Sequence, residues 1–263
     1  MQRRLVVGVG VGLAALGGGA AWWLLSAHAL GLAEPRIALA AGEPTVDGHK
    51  VKVGQAFDAG QTVRTGDQVS ACFSVHASRA CLGAQSEVRL AALTARAATL
   101  ELARGTLIVA SAGDDVTVVT AGGASVEVKN ATAALETGQG DALVRALDAS
   151  VTLAAPGKPP MTLASPSAVG LRDAARRPGA PAVEDEERQV ARLASRWQGS
   201  AGAIVELRGA HGRLEVDGLD AGHAPAAVLL DEGEHTLAHR AGPHGTTEEK
   251  VSLRGGQVVV RGE

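Results

Sequence analysis

The sequence predicts an all-β body behind one N-terminal helix, and three observations carry that prediction. From Val51 to Leu153, short apolar alternations are broken by Gly, Asp and Ser at regular spacing, the pattern of a sandwich or barrel. The pattern returns from Ala203 to Val260. The long uncharged run Leu5–Leu25 stands apart at the N-terminus. At about 1.5 Å per residue it is long enough to cross a hydrocarbon core of about 30 Å. The expected order is a transmembrane helix, a β domain, a short linker helix and a small β-sandwich.

Residues 1–33 are expected to be a transmembrane anchor or signal segment. Arg3 and Arg4 precede the apolar run and no charge follows until Glu34, so the positive-inside bias sends the rest of the chain across the membrane. Trp22 and Trp23 suit the far interface, and Gly8-x-x-x-Gly12 has the small-residue spacing of paired helices. Ala27-His28-Ala29 also fits a signal-peptidase site, which would release the chain after Ala29. Both readings put the bulk of the chain in the periplasm, held at the inner membrane by a single pass or secreted after cleavage.

Residues 34–172 are expected to form the first β domain, with three hairpins. Thr99–Ala103 and Thr106–Ala110 flank Arg104-Gly105, and Val144–Leu147 and Ser150–Leu153 flank Asp148-Ala149. Val69–Val75 returns through Ser78–Leu82. Gly122-Gly123 supplies a further turn, and Met161–Leu163 and Ala168–Leu171 can add edge strands. Residues 173–200 read as a Pro-containing linker with a helix over Val183–Gln198, where Val190, Leu193, Ala194 and Trp197 form one apolar stripe. Residues 201–263 form the second module: Leu214–Val216 runs into the tight-turn pair Asp217-Gly218, and strands follow at Ala227–Leu230, His235–Arg240, Glu249–Leu253 and Gln257–Val260. At about 60 residues, this module is near the lower limit for folding alone.

Cys72 and Cys81 are the only cysteines. With His76-Ala77 as the loop, they oppose each other at a non-hydrogen-bonded site, where Cα atoms are about 4.5 Å apart and a disulfide fits. They share their strand face with Ser70, Ser74 and Arg79, and an oxidising compartment lets the bond form.

Two resemblances add to this reading. Val63-Arg64-Thr65-Gly66-Asp67, the Cys72–Cys81 hairpin, Leu100-Glu101-Leu102 leading to Gly105, and Val116–Thr120 resemble the FecR family of periplasmic domains. Departures fall at Lys129–Ala133 and around Asp148-Ala149. The segment Ala203–Val260 resembles a PEGA domain, a small β-sandwich of bacterial envelope proteins, through Val216-Asp217-Gly218, Gly222-His223-Ala224-Pro225 and Glu232-Gly233-Glu234-His235. The family's Pro-Glu-Gly-Ala stands here as Asp231–Glu234. The resemblances imply turn roles for Arg64, Thr65, Gly66, Asp67, Gly105, Asp217, Gly218, Gly222, Pro225 and Gly233. FecR-type regulators use a cytosolic tail to bind a sigma factor. Only Met1–Arg4 would lie on that side here, so sensing would need a separate partner.

Composition narrows the function. A formal charge of −3, with the basic pair Arg3-Arg4 confined to the leader, argues against nucleic acid. Aromatic residues are 2% of the chain and Tyr is absent, which removes stacking platforms for bases and most sugars. His211, His223, His235, His239 and His244 cluster in the last module, but His235-x-x-x-His239 lies on a strand with Leu237 between, unlike a zinc helix. There is no Gly-x-Ser-x-Gly elbow, and Gly157-Lys158 meets Pro159 rather than Ser or Thr. No catalytic residue, metal or cofactor is expected. The expected role is protein–protein interaction, sensing or scaffolding in the envelope, with a cell-wall protein binding glycan through the C-terminal module as the alternative.

Overall fold

The computed structural model describes residues 34–138, 142–171, 202–208, 212–240 and 245–261. The first strands are β1 (Arg36–Ala41), β2 (Thr45–Val46), β3 (His49–Lys50), β4 (Thr62–Arg64), β5 (Ser70–Val75), β6 (Ser78–Leu82) and β7 (Glu87–Leu93). The long pair β8 (Ala97–Ala121) and β9 (Ala124–Thr137) follows, then β10 (Ala142–Asp148), β11 (Ser150–Ala154), β12 (Met161–Ala164) and β13 (Ser167–Gly170). The C-terminal strands are β14 (Ala203–Leu207), β15 (Arg213–Val216), β16 (Leu219–His223), β17 (Ala226–Leu230), β18 (Gly233–Arg240), β19 (Thr246–Leu253) and β20 (Val258–Arg261).

The expected architecture is corrected in one respect. Every regular element among the described residues is a strand, and among them no helix is long and apolar enough to cross a membrane. The expected helices, at 1–33 and within 173–200, fall outside the described residues. The C-terminal strands lie in two facing layers around one core, and the layer of β14, β17 and β20 continues through β1 into the rest of the sheet. One 16-stranded sheet runs β20-β14-β17-β1-β5-β6-β8-β7-β4-β2-β3, with β9 to β13 attached through β8. β1 sits between β17 and β5, pairing Leu39 with Val228 on one side and Cys72 on the other. A four-stranded sheet, β16-β15-β18-β19, packs as the second layer at the C-terminal end. Glu34–Glu263 is accordingly one compact unit.

The physical reason lies in the side-chain period of two, which sends neighbouring residues of one strand into different cores. One core takes Ile37 and Ala40 of β1, Phe73 of β5, Leu82 of β6, Leu107 and Val109 of β8, and Leu135 of β9. The other takes the intervening Leu39, Cys72, Cys81, Ile108 and Ala134, together with Val205, Val228, Leu214, Val216 and Leu237 from the C-terminal strands. The central strands are therefore buried on both faces, and the face of β5 and β6 expected to be polar is covered, with Ser74 and Arg79 buried.

Two expected hairpins are absent. β8 runs straight through Arg104-Gly105, pairing Leu100 with Leu90 and Leu102 with Val88 of β7, then Leu107 with Leu82 and Val109 with Ala80 of β6. A register shift at Ala103 bulges β8, and the neighbouring Gly105, at φ 84°, continues the strand instead of turning it. Asp148-Ala149 likewise interrupts a continuous path: β10 and β11 both pair with β9, and Ala149 takes φ 56° beside a register shift. A glycine or aspartate signal marks positive φ without stating whether the chain reverses. The hairpin through His76-Ala77, the Gly122-Gly123 turn, the Asp217-Gly218 turn and the edge strands β12 and β13 are formed.

Candidate functional site

Four of the FecR-like motif residues, Thr65, Gly66, Asp67 and Gly105, meet at one open cleft of about 790 Å³, lined also by Gln85 and Arg104, with Thr137 and Gly138 at the end of β9. Its walls are tied to one another. Leaving β4, buried Thr65 donates its Oγ1 proton to the Gly83 carbonyl at 2.6 Å and accepts the Ser86 amide at 2.9 Å. The Gln85 amide donates to the Gly66 carbonyl at 3.0 Å, and its Nε2 donates to Asp67 Oδ1 at 2.5 Å. Ser86 Oγ accepts the Thr106 amide at 2.9 Å. Gly105 is required at this point because a Cβ would stand 2.6 Å from Ser86 Cα, in addition to the positive φ.

Arg64 stands beside the cleft. Its Nη2 donates to Glu87 Oε1 at 2.9 Å, while Arg104 Nε lies 3.5 Å from Glu87 Oε2. The hydrogen bond from Arg64, helped by the charges of Arg64 and Arg104, holds the Glu87 carboxyl below its ordinary range, and the same bond raises Arg64. Such walls offer donors, acceptors and one half-neutralised guanidinium to a ligand. Asp67 is the one carboxylate among the lining residues, and it is engaged with Gln85.

Two of the PEGA-like motif residues, Gly222 and Pro225, do something the sequence did not signal: they hold β1. A Cβ on Gly222, at φ 99°, would stand 2.6 Å from Ala41 Cβ, so β16 approaches β1 only with glycine there. The Pro225 carbonyl accepts the Gly42 amide at 2.8 Å. Asp217 and Gly218 take φ 52° and 74° in the turn between β15 and β16, and Asp217 Oδ1 also accepts the Thr236 amide at 2.9 Å. Gly233, at φ 142°, opens β18. His235 is locked structurally, with Nδ1 2.9 Å from Asp217 Oδ2 and Nε2 3.1 Å from the Asp231 carbonyl. His211 and His244 lie outside the described residues. β1 itself escaped sequence reading, although Ile37–Ala41 is an unbroken apolar run.

Cys72 and Cys81 form the disulfide across β5 and β6, with Cα atoms 4.0 Å apart. The cysteines are 0% and 4% exposed, inside the core that β1 and the hairpin share with the C-terminal strands. Next to Cys81, Arg79 donates from Nη1 to the Ser78 carbonyl at 2.9 Å. Burial lowers its pKa, and the negative charge of Asp231 acts in the opposite direction.

No family model matches the chain, and no curated protein matches it. Two crystal structures of a protein from Parabacteroides distasonis ATCC 8503, described as a "putative anti-sigma factor", are similar to it at 15% and 14% identity, each with a TM-score of 0.37. Each likeness covers 44% of this chain and 57% of the other, a little over half of that protein's length.

Proposed function

We propose that this chain is an exported envelope protein whose β body recognises another envelope protein, as a sensing or scaffolding element and without catalysis. The observation that carries the reading is the open cleft between Asp67 and Arg104, whose walls are held by bonds among themselves and leave a preformed recognition surface. The buried disulfide supports folding in an oxidising compartment, hence the periplasmic side. A glycan-binding role has less support. Phe57 and Phe73, the described aromatic residues, are buried and pack edge to face at 5.2 Å, so neither offers a ring to a sugar.

The test is a photo-crosslinking residue placed in the cell at Gln85 or Arg104, with exposed Lys52 as the control position. One envelope protein captured from both cleft positions and not from 52 is the expected result. Adducts with wall polymer, or no adduct from either cleft position, refute the proposal.

A further inference from the structure

We infer that β20 is a self-pairing edge, through which two copies of this chain join antiparallel about a two-fold axis. Three observations converge on this strand. First, Val258 and Val260 are 52% and 37% exposed, the large hydrophobic side chains most open to solvent among the described residues, and both stand on one face of β20. Val259 between them points into the core shared with the C-terminal sheet.

Second, the main-chain groups of those same two residues face outward. β20 is parallel to β14, pairing Ile204 with Val258 and Glu206 with Val260. The Ile204 amide donates to Gln257 O and the Arg208 amide to Arg261 O, both at 2.8 Å. In a parallel ladder the inward-bonding residues alternate, so Gln257, Val259 and Arg261 serve β14 while Val258 and Val260 face the outer edge, where β20 has no partner among the described strands. Arg261 Nη1 covers Val260 O at 2.9 Å and would swing aside on pairing. The outer edge of the other sheet, β19, carries Glu248, Glu249 and Lys250, charges that discourage strand addition. β20 carries none before Arg261.

Third, the edge is complementary to itself. Setting Val258 opposite Val260 of a second copy places Val260 opposite Val258 by symmetry, with Val259 on the axis and Arg261 facing Gln257. Both outward residues then exchange main-chain hydrogen bonds as hydrogen-bonded pairs, and the exposed valines meet as cross-strand neighbours. A slip of one residue breaks the hydrogen-bonding parity. A slip of two in the register sets Val260 against a glycine or against itself, with Val258 left facing a glycine or itself. No like charges oppose each other in the valine-paired register. A four-residue strand buries far less than the roughly 1,200 Å² of a stable interface, so the association is weak and concentration-dependent.

The test uses the full chain. Sedimentation equilibrium from about 10 µM to about 1 mM should show a monomer–dimer equilibrium. V258K/V260K, which alters exposed positions and should keep the circular dichroism spectrum and Tm, should weaken it by about tenfold or more. V258C/V260C expressed in cells should give a disulfide-linked band at twice the chain mass. A monomer throughout the range, a dimer indifferent to V258K/V260K, or a V258C/V260C crosslink only to a different protein would each overturn the inference.

Discussion

Leu39→Ala tests the shared sheet most directly. Leu39 is 0% exposed and belongs to the core that β1 and the Cys72–Cys81 hairpin share with β14 and β17. Removing a fully enclosed leucine side chain costs the transfer of the lost carbons plus the cavity left behind, about 3.5 kcal/mol at such a site. Because β1 is hydrogen-bonded to β17 and β5 at once, the loss should be felt equally on both sides. At about 1.4 kcal/mol per tenfold, the amides of Val205 and Val228 and those of β5 should all lose protection in native-state hydrogen exchange by about 300-fold. Urea unfolding should remain a single transition with an unchanged slope. If β5 loses protection while Val205 and Val228 keep theirs, the C-terminal strands are stable without β1 and the reasoning fails.

Three further predictions follow from the local geometry. Cys72→Ala with Cys81→Ala opens a short loop of sequence separation 9 and should cost about 2.5 kcal/mol in urea unfolding; because the bond is buried, dithiothreitol should reduce it in the native protein only as fast as the chain opens. Gly105→Ala should lower stability by about 2–4 kcal/mol, since it adds a Cβ against Ser86 at positive φ; an unchanged Tm would contradict that close approach. Glu87→Gln concerns a carboxyl whose folded pKa lies below the ordinary 4.5. Its contribution is present above that value and is lost as the pH falls through the folded pKa. The wild type should therefore exceed the variant by up to about 1 kcal/mol at pH 7 and by less at about pH 3, measured by urea titration at both; a gap that widens in acid would refute the assignment.

By itself, the sequence determined what depends on neighbours along the chain. His76-Ala77, Gly122-Gly123 and Asp217-Gly218 announce their turns because tight reversals need particular backbone angles, and the first of them sets Cys72 against Cys81. The FecR-like residues Thr65, Gly66, Asp67 and Gly105 were recognisable as special, and they do meet in one cleft. Whether Gly105 and Ala149 reverse the chain or continue it was decided by distant partners: β6 and β7 hold β8 straight, and β9 pairs with both β10 and β11. The place of β1 was decided only in the tertiary structure, since its partners lie at Ser70–Val75 and Ala226–Leu230 and no turn connects it to either. Period-two alternation states that a strand has two faces; which core each face enters depends on what packs there, and here the C-terminal strands bury the face of β5 that its serines had marked as polar.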